Sequence, residues 1–254
     1  MQEIQRRPPT DVRRQLRREV GFGCPVGGCG NPYLEYHHFD PPWHVERHHN
    51  PSGMLALCAN HHAKADALTV EQCRELKTGP QSATVRGRFE WMRREVVAIV
   101  GGNYYHETPH MVVFRGEPLI WFERDEDGYL LLNMRMLTAS HERRAQLLAN
   151  DWDIAGDPLD VESPPNGSYL RVRYSNGDDV RIRFKQWDSA ESLGAKHPRI
   201  LSLEDTISFP LVTVEIAMVV GGTGVRFDAR SSEIGGLTMT GNIMSHCGAG
   251  LVID

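Results

Sequence analysis

The sequence predicts an α+β protein in which a small zinc-stabilised ββα unit is followed by a β-rich domain. Cysteine and histidine are concentrated near the start, since seven of the twelve histidines precede residue 67. Short apolar runs separated by glycine, proline and asparagine fill most of the chain after residue 110. A length of 254 residues with 40% hydrophobic residues suits two small domains better than one.

The first expected element is a helix with Thr10 as its N-cap and Asp11 near the positive end of the helix dipole. Its two turns carry four arginines: Arg13, Arg14, Arg17 and Arg18. We expect these side chains to form a surface that contacts the phosphates of a nucleic acid. A solvated charged face is an equally good interpretation for any one of them.

Two short-spaced ligand pairs predict a metal site. The first pair is Cys24 and Cys29, and the second is Cys58 and His61. Each pair can lie on one tight turn, and a tetrahedral Zn²⁺ closes the loop between the two turns. Four protein ligands leave no open coordination position, so this zinc would be structural. A disulfide is a weaker explanation because no secretory signal is evident, and buried inert thiols are the other alternative.

The following segment predicts a strand, a loop, a second strand and a helix. Residues 33–39 alternate well enough for a short strand, which an Asp-Pro-Pro run ends. Residues 54–57 form a second apolar run. Residues 59–68 have the composition of a helix in which His62 and Asp66 share one face.

This order, together with the zinc pairs, the His-His strand and the Leu-Cys-x-x-His-His motif, resembles the HNH nucleases, also called ββα-metal or His-Me finger nucleases. The resemblance is to the zinc-containing subtype, covers about residues 12–68 and does not extend to the C-terminal half. It implies that His38 is the general base and that His37 and His62 hold a catalytic divalent metal. Asp66 occupies a position where some relatives carry a further metal ligand.

Two positions depart from the family pattern. His61 stands where the usual zinc knuckle has its second cysteine. The central asparagine is expected five residues before Cys58, and that position holds Gly53. Asn50 could brace the same loop from a shifted position, so we include it among the catalytic candidates.

The implied activity is hydrolysis of phosphodiester bonds, with DNA as the favoured nucleic-acid partner. A neutral imidazole with an ordinary pKa of about 6.5 can deprotonate water near neutral pH. A divalent cation would stabilise the charge of the transition state and of the leaving oxygen. Imidazole suits Zn²⁺, Ni²⁺ or Mn²⁺, whereas Mg²⁺ prefers oxygen, so all four ions are alternatives. By resemblance, the products carry 5′-phosphate and 3′-hydroxyl ends.

Three more histidines lie in the loop between the predicted strands: His44, His48 and His49. A packed or solvated role is the simpler interpretation for each.

The charge distribution favours a nucleic-acid-facing front half. The whole chain carries −5, but residues 1–100 contain 14 Lys and Arg against 11 Asp and Glu. Residues 101–254 contain 14 Lys and Arg against 22 Asp and Glu, so the net charge is +3 for residues 1–100 and −8 for the rest. A mildly basic front predicts modest nucleic-acid affinity that falls with salt.

We expect an HNH-like module over residues 1–78, a helical connector over 79–103 and a β-rich domain over 104–254. Residues 69–77 predict a short helix at the end of the module. The connector is expected to contain a helix over residues 89–100, because its apolar residues form a partial stripe.

In the β-rich domain, strands are expected at residues 111–114, 119–122, 129–132, 169–174 and 180–184. The last two predict a hairpin whose arginines share one face: Arg171, Arg173, Arg181 and Arg183. That face could bind an acidic ligand or the module's acidic surface, although a solvated face is the better interpretation. Residues 211–254 suit a sandwich or a solenoid, and residues 140–150 suit a helix or a further strand.

No apolar run approaches the roughly 20 residues that cross a bilayer, and the start of the chain lacks a signal core. Thiolate zinc sites also favour a reducing compartment. We therefore expect a soluble cytoplasmic protein without a membrane partner.

The leading functional hypothesis is a metal-dependent endonuclease, with microbial defence as the context that analogy suggests. Its β-rich domain would select the target, bind a protein partner or mediate self-association. One alternative is a non-catalytic zinc-containing nucleic-acid-binding protein. The other is a sensor whose β-rich domain gates the module.

Overall fold

A computed structural model describes residues 4–79, 85–139 and 144–254. The N-terminal elements are α1 (Thr10–Glu19), β1 (Leu34–His38), β2 (Met54–Cys58), α2 (Ala59–His62) and α3 (Val70–Thr78). The next strands are β3 (Val85–Arg88), β4 (Val96–Val100), β5 (Asn103–His106), β6 (His110–Phe114), β7 (Glu117–Arg124), β8 (Leu130–Arg135), β9 (Gln146–Leu148) and β10 (Asp151–Ile154). They are followed by β11 (Pro158–Glu162), β12 (Tyr169–Tyr174), β13 (Asp179–Trp187), α4 (Ala190–Gly194) and β14 (Leu211–Val219). The last strands are β15 (Val225–Phe227), β16 (Ser232–Ile234), β17 (Leu237–Met239), β18 (Ile243–Ser245) and β19 (Ala249–Ile253).

The N-terminal module is an antiparallel β1–β2 hairpin packed against α1, α2 and α3. Leu34 pairs with Cys58 and His38 pairs with Met54, so the hairpin runs over the predicted strands. All five residues of β2 are buried, and its apolar side chains form one core with Leu16 of α1 and Cys73 of α3. The strand, loop, strand and helix order predicted from the sequence is confirmed.

Two helical details of the module differ from prediction. Thr10 is the first residue of α1 rather than its N-cap, because Pro9 takes that position without a side-chain cap. The helix predicted over residues 59–68 ends at His62, and a separate 3₁₀ turn covers Ala65–Ala67. The backbone leaves α geometry at Lys64, with φ −112° and ψ 5°, so positions 62 and 66 do not share one continuous helix.

The helix predicted over residues 89–100 is wrong, and with it the helical connector. Residues 96–100 form β4, which pairs parallel with β14 and antiparallel with β5. Val96, Ala98 and Val100 enter one hydrophobic core, while Val97 and Ile99 enter another. A strand buried on both faces gives a continuous apolar run of β-branched residues, which periodicity alone cannot distinguish from a buried helix.

The β-rich domain contains two large sheets that pack over one shared core. The strand order of the first is β19-β6-β7-β8-β9-β10-β3, and that of the second is β11-β12-β13-β14-β15-β16-β17, with β4, β5 and β18 attached through β14. Apolar residues from both sheets, such as Ile120 and Ile182, belong to the same buried cluster. A sandwich rather than a solenoid therefore describes this half. Of the ambiguous segment 140–150, residues 140–143 lie outside the described residues, and Gln146–Leu148 is a strand.

The outer face of the second sheet carries the N-terminal module and a cluster of arginines. Leu170, Val172 and Ile182 point into the shared core, so the predicted arginines of the β12–β13 hairpin lie on the opposite face. On the same sheet, α1 packs against β11. None of the described helices has the length and apolar composition that crossing a membrane requires.

Candidate metal centre and histidine site

Four side chains of the module converge on one point in the way that the sequence predicts. The Sγ atoms of Cys24 and Cys58 each lie 3.3 Å from Nδ1 of His61, and the Cys29 and Cys58 sulfurs are 4.0 Å apart. The four ligand atoms all lie within 4.8 Å of one another. These residues therefore lie close enough to hold a metal ion.

Local backbone geometry brings the first pair together. Gly27, Gly28 and Gly30 have φ between 54° and 74°, a region that L-residues with side chains rarely occupy. Gly23 packs so closely that a Cβ there would lie 2.8 Å from the carbonyl oxygen of Gly30. The second pair needs no such loop, because Cys58 ends β2 and His61 lies on the turn of α2 that follows directly.

The donor set suits zinc in chemistry and in size. With Zn–S near 2.3 Å and Zn–N near 2.0 Å, a tetrahedral site has sulfur–sulfur edges of about 3.8 Å and sulfur–nitrogen edges of about 3.5 Å. The observed 4.0 Å and 3.3 Å separations match these edges. Burial and the adjacent Cys58 raise the pKa of Cys24 to about 12, so a thiolate there needs a compensating cation.

His37 and His62 lie together, as predicted, beside an acid that sequence reasoning missed. Their rings meet edge to face with centroids 5.7 Å apart. Nδ1 of His62 lies 3.0 Å from a carboxylate oxygen of Glu35. The sequence spacing could have identified Glu35, because residues 35 and 37 of one strand lie on the same face. Burial lowers the pKa of His37, and the nearby His62 lowers it further.

The predicted three-residue metal set of His37, His62 and Asp66 is not assembled. Within residues 4–79, 85–139 and 144–254, the cysteine–histidine cluster is the only group of three or more such side chains with ligand atoms within 4.8 Å of one another. Asp66 is exposed on the 3₁₀ turn after α2, although its charge still acts on the pKa of His37. The break in the helix at Lys64 accounts for its displacement.

His38 lies at the end of β1 in a cage of aromatic rings. Its ring lies 4.7 Å from that of Trp43, 5.2 Å from that of His48 and 6.0 Å from that of His49, measured between centroids. The loop histidines are therefore packed, in agreement with the simpler interpretation for His48 and His49. His44 is exposed.

The hydrogen bonds of His38 define which nitrogen is basic. Its Nε2 lies 3.1 Å from the carbonyl oxygen of His48, and a carbonyl can only accept. Nε2 therefore carries the proton and donates it, which leaves the lone pair on Nδ1. Burial, the neighbouring His48 and other nearby charges lower the pKa of His38 to about 4, so the ring is neutral at pH 7.

The loop between the strands is braced by Asn50, but from the surface. Its side-chain oxygen accepts the backbone N–H of Ser52 at 3.2 Å, and its own N–H donates to Nδ1 of His48 at 3.1 Å. Asn50 is exposed, and these bonds give it the loop-bracing role expected from the sequence. At Gly53 a Cβ would lie 1.8 Å from the carbonyl oxygen of Asp40, so no side chain fits at the family's asparagine position.

The arginines of α1 were predicted to contact nucleic acid, and for Arg17 this is wrong. Arg17 is 2% exposed and binds the carboxylate of Asp160 on β11 through Nε and Nη2. Arg13 binds Glu162 at 2.9 Å, and Nε of Arg14 lies 3.5 Å from Asp160. The helix presents this face to the β-rich domain because two acids of β11 lie opposite it. Arg18 is exposed.

A groove of about 710 Å³ separates the module from the β-rich domain. His62 and Glu35 line it on the module side, and its cationic lining residues are Arg6, Arg7, Arg13 and Arg183. The charge of Arg6 lowers the pKa of both His37 and His38, so this cation lies near both histidines. The N-terminal segment before α1, which sequence reasoning left out, thus supplies cations at the histidine site.

Comparison of the chain with models of protein families, with curated proteins and with solved structures finds no match in any of the three.

Proposed function

We propose that the N-terminal module is a metal-dependent endonuclease that hydrolyses phosphodiester bonds in DNA and is held together by a structural zinc at Cys24, Cys29, Cys58 and His61. The observation that carries this proposal is the His37–His62 pair beside a cationic groove, with a neutral imidazole next to it on the same strand.

His38 would act as the general base through Nδ1. Its Nε2–H is held by the carbonyl of His48, which fixes the tautomer and orients the ring. Nδ1 would take a proton from water as the water oxygen attacks phosphorus, and the bond to the 3′ oxygen would break. A divalent cation bound by His37 and His62 would supply positive charge to the phosphate.

The groove supports a strand of nucleic acid as the substrate. Arg6, Arg7 and Arg183 line it, and guanidinium groups bind phosphate oxygens through two parallel N–H bonds. Glu35 would orient His62 through its contact with Nδ1, in the way that a carboxylate bound to one ring nitrogen orients an imidazole whose other nitrogen binds a metal.

Supercoiled plasmid incubated with Mg²⁺, Mn²⁺, Ni²⁺ or Zn²⁺ tests this proposal. We expect nicking with at least one ion, and His38→Ala should slow it by about 100-fold or more, as expected for loss of a general base. His62→Ala should also lose activity. His44→Ala is the matched control, because His44 lies exposed in the loop. This variant should cut plasmid at the wild-type rate. Equal cutting by His38→Ala would refute the assigned base.

A second candidate is a zinc-containing protein that binds nucleic acid without cutting it. The displacement of Asp66 from the His37–His62 pair favours it, because no group of three ligand atoms is preassembled there among the residues that the structure describes. Plasmid binding without nicking under all four ions would support this alternative.

A further inference from the structure

A cavity of about 750 Å³ lies on the outer face of the second sheet, next to the groove at the histidine site. Strands β13 and β14 form its floor, and the 3₁₀ segment Pro198–Leu203 and the turn after β15 form its sides. Ligand pockets in proteins commonly enclose about 300 to 1,000 Å³. The cavity is therefore large enough for a nucleotide.

The lining of this cavity is cationic in a half of the protein that is acidic. Residues after 100 carry 14 basic against 22 acidic side chains. The cavity reverses this balance, since its two acids, Glu215 and Asp228, face five cations: Arg181, Arg183, Lys196, Arg199 and Arg230. A concave surface of one charge sign concentrates oppositely charged ligands.

Both acids already have partners. Glu215 binds Lys196 and lies 3.4 Å from Nε2 of His197. Burial alone would raise the pKa of Glu215, but the neighbouring Lys196 and His197 lower it to about 2. Asp228 accepts the backbone N–H groups of Arg230 and Ser231 at 2.7 and 2.8 Å. The two carboxylates therefore bind groups in the walls of the cavity and do not neutralise its other arginines.

Three guanidinium groups in the cavity have no carboxylate partner within the part of the chain that the structure describes: Arg183, Arg199 and Arg230. Arg183 lies over the ring of Tyr169 at 4.6 Å. The buried ring of Tyr104 also lines the cavity. Phosphate oxygens would complete the hydrogen bonding of such guanidinium groups, and tyrosine rings offer stacking surfaces.

Close backbone packing holds two of these arginines in place. A Cβ at Gly102 would lie 1.9 Å from the carbonyl oxygen of Arg230, and Thr240 donates to that same oxygen at 2.6 Å. A Cβ at Gly241 would lie 2.6 Å from Nε of Arg199. The N–H of Gly241 donates to the carbonyl of Gly102 at 2.9 Å, which links the two supports. Arg199 and Arg230 thus lie on segments that are closely packed and hydrogen-bonded to each other.

We propose that this cavity, the arginine pocket, binds the phosphate of a nucleotide, either free or as part of a nucleic-acid strand. Free nucleotide and strand share the chemistry of a phosphate beside an aromatic base. Tyr169 and Arg183 line both the arginine pocket and the groove at the histidine site, so the two cavities adjoin. The proposal does not depend on catalysis by the module.

Calorimetric titration of the 254-residue His38→Ala variant tests the proposal, because this background should cut nucleic acid only slowly. ATP and single-stranded oligothymidylate are the two probes. We expect at least one of them to bind, and the double variant Arg199→Ala/Arg230→Ala should weaken its binding by about tenfold or more. Binding should also weaken as salt rises, because guanidinium groups contact the phosphates.

The control is Arg135→Ala, which removes an exposed arginine from β8 in the other sheet and should leave affinity unchanged. Thermal melts monitor folding. If the double variant has a lower melting temperature than wild type, the two single variants replace it in the titration. Binding of ATP would assign a free ligand, and binding of the oligonucleotide alone would assign a strand. Absence of binding by both probes, or undiminished affinity in the arginine variants, would overturn the proposal.

Discussion

The guanidinium of Arg17 binds the carboxylate of Asp160 across 143 residues of sequence, with Nη2 at 2.8 Å from both oxygens. Both residues are 2% exposed. Arg173 donates to the same carboxylate at 2.7 Å, and Arg17 also donates to the hydroxyl of Tyr36 at 2.7 Å. One buried acid of the β-rich domain thus connects its own sheet to α1 of the module.

We predict that Asp160→Asn destabilises the protein by about 3–5 kcal/mol, because it leaves buried guanidinium charge without a counter-ion. Urea unfolding at pH 7 measures this change. Arg74→Ala is the control, since Arg74 and Asp40 form an exposed pair with side chains 58% and 44% accessible. That substitution should cost no more than about 1 kcal/mol. Equal effects of the two substitutions would contradict the prediction.

Loss of one metal ligand should release the ion and loosen the module. Cys58→Ser replaces a buried thiolate with a poor zinc ligand, so we expect purified protein with no bound zinc and a reduced near-ultraviolet circular dichroism signal. Elemental analysis measures the metal. Cys247→Ser is the matched control, because Cys247 lies far along the chain from the four-ligand cluster. This variant should keep one zinc per chain. Full zinc in Cys58→Ser would rule out this ligand set.

Placing at position 53 the asparagine that HNH nucleases carry should destabilise this protein. Gly53→Asn, like Gly53→Ala, forces a Cβ to 1.8 Å from the backbone oxygen of Asp40, so the loop must move. We expect a loss of about 1–3 kcal/mol, typical of overpacking. Gly248→Ala is the control, because a Cβ there meets nothing within 4 Å. Chemical unfolding compares the two variants, and unchanged stability of Gly53→Ala would show that the loop adapts freely.

Stability should depend on pH through Glu215. Its pKa in the folded protein is about 2, below the ordinary value of 4.5, so its ionised form stabilises the fold fully above about 4.5. This contribution is lost as the pH falls from about 4.5 toward 2. Glu215→Gln should therefore be less stable than wild type at pH 7, and the difference in unfolding free energy should shrink in acid. A difference independent of pH would show that ionisation of Glu215 contributes nothing.

Features that depend on short sequence spacing could be predicted from the sequence. The short helix expected over residues 69–77 is present as α3, Val70–Thr78. The hairpin of β12 and β13 follows from alternation around a glycine-containing turn. The convergence of Cys24, Cys29, Cys58 and His61 follows from two local turns that β2 brings together. In each case the deciding interactions lie within a few residues or across one hairpin.

Features that depend on distant partners were decided only by the tertiary structure. Residues 96–100 become a strand because β14 and β5 supply partners on both sides, and this pairing outweighs the helical periodicity. Arg17 is buried because Asp160 lies opposite it, whereas its local sequence looks like an exposed basic helix. The arginine pocket likewise joins residues from β13, the 3₁₀ segment and the turn after β15. The sequence by itself determined turns and ligand spacing, while burial and ion pairing of charged groups depended on which surfaces the fold brought together.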